Sequence, residues 1–137
     1  MATGIFGTAI NCIDGRAQSP VADWVKIHYH VDYVDMITEP GPEAPLARGD
    51  GAIIEAIKRK VVVSATAHHS GVIAVAAHHG CAGNPVSKEE HIAQVRSAMQ
   101  VVASWGLPVH IVGLWVNEYG WIEHIDTIEY TAPRPEA

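Results

Sequence analysis

The chain has 137 residues, 48% of them hydrophobic, and a formal charge of −6. That size and apolar content support one well-packed domain without a disulfide framework or a structural metal. The nine Lys and Arg residues are scattered, which excludes a nucleic-acid surface or a polybasic membrane patch. No run reaches the roughly 18 to 20 apolar residues of a membrane span, and Met1-Ala2-Thr3-Gly4 lacks a basic secretory start. The expectation is a cytoplasmic protein whose partner is a small molecule. In that compartment Cys12 and Cys81, the two cysteines, favour metal binding or catalysis over a disulfide.

Gly4 to Cys12 reads as a first strand, its Ile5–Ile10 run suited to burial in a parallel sheet. Gly15 to Gln18 is then a loop, with Ser19 as N-cap and Pro20 as first residue of a short helix to Tyr29. Val31 to Thr38 forms a second strand, closed by Glu39-Pro40-Gly41-Pro42, and the segment to Gly49 is expected to be an exposed, mobile loop. Asp50 caps a long helix with Ile53, Ile54, Ile57, Val61 and Ala65 on one face, stopping at His68-His69-Ser70-Gly71. Gly71 to Ala77 is a third strand. Ser87 and Glu90 form a capping-box pattern for a helix to Trp105, which Gly106-Leu107-Pro108 ends. Val109 to Val116 is a fourth strand, and Asn117 to Gly120 turns it into an antiparallel fifth, Trp121 to Ile125. Residues 130–137, with two prolines, read as a loose tail. The alternation predicts a single α/β domain over residues 1–137: a mostly parallel sheet of four strands plus an antiparallel fifth, with helices on both faces.

Two segments carry the chemistry. Cys12-Ile13-Asp14-Gly15-Arg16 ends the first strand and His78-His79-Gly80-Cys81 ends the third. Parallel sheets gather ligand sites at the carboxyl ends of their strands, so residues 66 apart in sequence can converge there. Zinc favours thiolate and imidazole, and a catalytic site uses three protein ligands with a fourth position open to water. Cys12, His78 and Cys81 supply that number. Two thiolates and a neutral imidazole cancel the charge of the ion, so the site acidifies water less than an all-histidine one. Asp14, held ionised by Arg16 two residues on, is placed to compensate.

The other histidines have plainer readings. His68 and His69 complement a helix dipole, His28 and His30 are solvated, His79 alternates away from His78, and His110 and His124 are structural. Any of the nine could titrate near neutrality as a proton relay, and the sequence singles out none. Trp24, Trp105, Trp115 and Trp121 read as core or interface anchors. Gly4-x-x-Gly7 opens a strand rather than a helix, so it is no dinucleotide fingerprint.

Cys-x-Asp-x-Arg followed by a strand-terminal His-x-x-Cys resembles the β-class carbonic anhydrases, and the order of elements from about residue 4 to 127 resembles their fold. The resemblance implies Cys12, His78 and Cys81 as zinc ligands, with Asp14 and Arg16 as the catalytic dyad. It implies reversible hydration of carbon dioxide to bicarbonate by a zinc-bound hydroxide, and a homodimer or higher homo-oligomer. In that family the aspartate can also leave its arginine and close the fourth metal position. Family members carry Arg-Asn-Ala-Gly after the second strand, where this chain has Thr38-Glu39-Pro40-Gly41. That departure motivates a second reading, a zinc-binding member without catalysis. Hydrolysis of carbonyl sulfide or carbon disulfide is a third.

Overall fold

The apolar runs pair into one sheet in the computed structural model, which describes residues 3–132. Strands β1 (Phe6–Cys12), β2 (Tyr33–Glu39), β3 (Val72–His78) and β4 (His110–Val116) run parallel, and β5 (Ile122–Ile128) returns antiparallel against β4, in the order β2-β1-β3-β4-β5. Every residue of β3 is buried, as expected of a central strand covered on both faces. Its two sides differ in size. Val72, Ala74 and Ala76 meet helix α1 (Gly15–Tyr29) through Ala17, Val21 and Val25. Ile73, Val75 and Ala77 join a larger cluster with Leu46 of α2 (Glu43–Arg48), Ile57 and Val61 of α3 (Gly51–Ala67), and Val95 and Met99 of α4 (Lys88–Ala103).

This layering positions the functional residues. The chain leaves β1 for β2 over one face, through α1, and returns from β2 to β3 over the other, through α2 and α3. The direction of winding therefore reverses between β1 and β3, which opens a crevice beyond their carboxyl ends. Cys12 and His78 are the last residues of those two strands.

Two sequence expectations give way to tertiary contacts. Helix α1 begins at Gly15 rather than beyond Pro20, because Asp14 caps it by accepting from the Arg16 backbone N–H and Asn11 Nδ2 donates to the Ala17 carbonyl. Pro20 then lies inside the helix, which forgoes one backbone hydrogen bond and continues. The segment after Pro42 is no mobile loop. It folds as α2, with Glu43 to Leu46 buried and Gly49 ending it in the left-handed conformation.

Elsewhere the local signals hold. Asp50 and Ser87 accept from the backbone N–H groups of Ile53 and Glu90 as N-caps. Strand β5 runs to Ile128, past the expected Ile125, with an irregularity at Gly113/Leu114 in its pairing. Within the tail expected over 130–137, residues 133–137 lie outside the described residues. Among the described residues no helix is long and apolar enough to cross a membrane.

Leu46, fully buried, tests whether α2 is docked. Leu46→Ala should lower unfolding stability by about 2–5 kcal/mol in urea titrations; a loose loop would register almost nothing.

Candidate metal centre

Cys12 and His78 close β1 and β3, and Cys81 follows in the turn that leaves β3. One ligand atom from each lies within 4.8 Å of the other two, and all three residues are buried. The two sulfurs are 3.9 Å apart, far beyond the roughly 2.05 Å of a disulfide. Two thiolates on one tetrahedral zinc at about 2.3 Å each would stand about 3.8 Å apart, so the spacing suits a shared ion.

The imidazole is prepared for the same purpose. His78 Nδ1 is 2.8 Å from the His79 carbonyl, to which it can only donate, so the neutral ring keeps its lone pair on Nε2. That Nε2 is buried with no hydrogen-bond partner. An orphaned buried acceptor beside two sulfurs is costly unless something electron-deficient binds it. The Cys81 thiol is pushed up to about 11, first by burial, then by the adjoining Cys12 and more weakly by Glu43. A divalent cation removes that penalty, because it favours the thiolate that burial disfavours.

Backbone completes the pocket. The Gly41 N–H donates to Cys12 Sγ at 3.5 Å. Gly41 has φ of 51°, and a Cβ there would stand 2.6 Å from Asn84 Cβ and 3.4 Å from Cys81 Sγ, so only glycine fits. The Thr38–Gly41 segment, where the chain departs from the Arg-Asn-Ala-Gly pattern, thus brings a hydrogen-bond donor to a sulfur.

Asp14 and Arg16 sit at the rim, joined as a fork. Arg16 Nε donates to Asp14 Oδ1 at 3.0 Å, Nη2 to Oδ2 at 2.6 Å, and the Arg16 backbone N–H to Oδ1 at 2.9 Å. Arg16 Nη2 also reaches the Gly80 carbonyl at 3.2 Å, tying the first motif to the second. These bonds, side chain first and backbone second, hold the Asp14 carboxyl far below the usual carboxylate range. Asp14 Oδ2 stands 4.0 Å from His78 Nε2 and remains on its arginine.

Two recesses open beside these residues, one reaching Arg16 and His78 and the other Cys12 and Asp14. The first, of about 60 Å³, is mixed in character, bordered by Arg16, His78, His79, Val116 and Glu118. The other, about 300 Å³, is lined by Cys12, Ile13, Asp14, Pro40, Ala82 and Gly83 and is mainly apolar. All five candidate residues therefore meet at one place. Of the other histidines, His79 lies at this rim, 3.7 Å from Glu118. His68 instead pairs with Asp35 at 2.7 Å, and His28 and His30 are exposed. Gly41, Glu43 and Asn84 escape a reading of the sequence: a glycine between prolines signals a turn but not a sulfur contact, and nothing local marks Glu43 as buried.

A family model described as putative carbonic anhydrase matches residues 2–126, and the chain belongs to that family. Among solved structures it is similar to a β-carbonic anhydrase isoform I from the protozoan Trichomonas vaginalis, at 15% identity and a TM-score of 0.57 over 90% of this chain and 83% of that one. A carbonic anhydrase from Glaciozyma antarctica gives a TM-score of 0.57 at 14% identity, over 87% and 81% of the two chains. At such identities the likeness is one of fold. No match is found among curated proteins.

The fork has a measurable signature. In NMR titration the Asp14 carboxyl should stay ionised well below its ordinary value of 3.8, and in Arg16→Met, which keeps only the backbone N–H donor, it should rise toward that value. Because the folded carboxyl lies below the unfolded one, any stability it contributes is present above pH 3.8 and is lost as pH falls through the acid range. An Asp14 that titrates identically in both proteins would show that Arg16 does not hold it.

Proposed function

We propose that this member of the carbonic anhydrase family holds a zinc ion between Cys12, His78 and Cys81 and catalyses the reversible hydration of carbon dioxide to bicarbonate, with Asp14 and Arg16 as its catalytic dyad. The observation that carries the proposal is the buried, partnerless His78 Nε2 beside two sulfurs 3.9 Å apart. Asp14 adds to it, being fastened to Arg16 rather than turned into the cluster. Zinc held there would supply the Lewis acidity that makes water a nucleophile at neutral pH.

The remaining work falls to the chain. Asp14, kept ionised by Arg16, has only acceptor atoms to offer, so it takes the O–H of the attacking water and sets which lone pair faces the substrate. Arg16 keeps that carboxylate unprotonated and away from the cluster, using three of its own N–H groups. The apolar recess beside Ile13, Pro40 and Ala82 suits a small uncharged substrate such as carbon dioxide. The smaller recess beside Arg16 and His79, which Glu118 also lines, offers a place for incoming water. A homodimer belongs to the same proposal; what supports it is the outer edge of β2, which has no further strand beside it among the described residues and where Tyr33 is exposed.

Zinc-loaded protein should accelerate carbon dioxide hydration in a stopped-flow pH-indicator assay, and Asp14→Asn should lower kcat/KM about 100-fold or more while retaining zinc. Hydrogen sulfide release from carbonyl sulfide without carbon dioxide hydration would assign the site to that substrate. A zinc-loaded protein inert toward both would leave a binding role alone.

A further inference from the structure

His78 Nε2 is one of two buried side-chain atoms without a hydrogen-bond partner among the described residues; the other is Oε2 of Glu43. Glu43 opens α2 with its side chain 1% exposed. Its Oε1 accepts from Asn84 Nδ2 at 2.9 Å and from His91 Nδ1 at 2.9 Å. A carboxyl group buried between an amide and an imidazole, with one oxygen unmatched, is a poor solution for stability alone. A leucine would fill the space without that desolvation cost. The pattern asks for a role that packing does not supply.

The partners indicate one. Asn84 gives its other amide hydrogen to Gln94 Oε1 of α4 at 2.6 Å, while its backbone N–H donates to the Cys81 carbonyl. Its Cβ packs against Gly41, whose N–H is on Cys12 Sγ. One carboxyl oxygen therefore joins α2, α4 and the turn carrying Cys81, beside the Gly41 backbone that donates to Cys12 Sγ and leaves no room for a side chain. Nothing else buried in that turn is polar except Asn84 itself.

We propose that Glu43 is a positioning residue of the metal centre, which through Asn84 holds the turn bearing Cys81 in its ligating place. The inference rests on the zinc reading above and is separable from it. Residues that orient metal ligands are worth about 10- to 100-fold in metal affinity when removed. Glu43→Leu should therefore weaken zinc binding about 10- to 100-fold in competition with a chromophoric chelator, and should alter the d–d bands of the cobalt(II)-substituted protein. Glu43→Gln, which keeps the acceptor, should stay within about threefold of the native chain.

Asn84→Ala leaves the Glu43–His91 contact in place and should reproduce the loss, so the inference stays testable even if Glu43→Leu does not fold. The double variant should lose no more than the worse single one, because both act through one contact. In metal-free protein, amide exchange over residues 81–86 should quicken in Glu43→Leu while β1 and β3 stay protected. Native zinc affinity and cobalt spectrum in Glu43→Leu or Asn84→Ala, or losses that simply add, would overturn the proposal. A native chain that takes up neither metal would instead overturn the zinc reading, and the exchange data would then decide alone whether Glu43 anchors the turn.

Discussion

Two sulfurs and one imidazole nitrogen, all buried, must face one another across less than 5 Å, and much of the fold serves that constraint. Three electron-rich atoms crowded in a buried crevice disfavour the thiolate form and hold on to protons, as the raised Cys81 thiol shows. Such a group persists only where rigid elements hold it. Here two adjacent central strands carry Cys12 and His78 at their ends, and the reversal of winding between them leaves room for Cys81 to turn back. Small residues on one side of β3 let α1 sit close, which brings Asp14 and Arg16 to the rim.

The surroundings divide into a wet half and a dry half. On the wet side Arg16 is largely exposed and fastens Asp14 with a fork and Gly80 with one further bond. Solvent screens such a pair, so its value lies in geometry and charge state more than in stability. On the dry side Glu43, Asn84 and His91 are buried together, and hydrogen bonds there are stronger and losses larger. Between them the Gly41 N–H reaches Cys12 through a gap that admits no side chain.

The clustering of Cys12, His78 and Cys81 was legible because its parts are local. Cys12, Asp14 and Arg16 fall within one turn of chain at a strand end, as do His78 and Cys81, and apolar runs before both announce the strands. Caps at Asp50 and Ser87 were legible for the same reason, since each is satisfied within three residues. Helix α2 was not. Pro40 and Pro42 read as breakers and the segment to Gly49 as an exposed loop; the partners of Glu43, Asn84 and His91, lie 41 and 48 residues away, beyond any local pattern. The start of α1 failed likewise: Ser19-Pro20 is a sound cap in isolation, but Asn11 and Asp14 satisfy an earlier turn. Family likeness pointed to the three clustered residues and could not foresee the backbone donor that Thr38–Gly41 brings to Cys12 Sγ.

The most direct measurement is a crystal structure of the zinc-loaded protein near pH 8. It should show one ion bound by Cys12 Sγ, His78 Nε2 and Cys81 Sγ, a solvent oxygen as fourth ligand, and Asp14 still forked on Arg16. An ion elsewhere, no ion at all, or the Asp14 carboxylate in the fourth position would contradict a catalytic centre built this way.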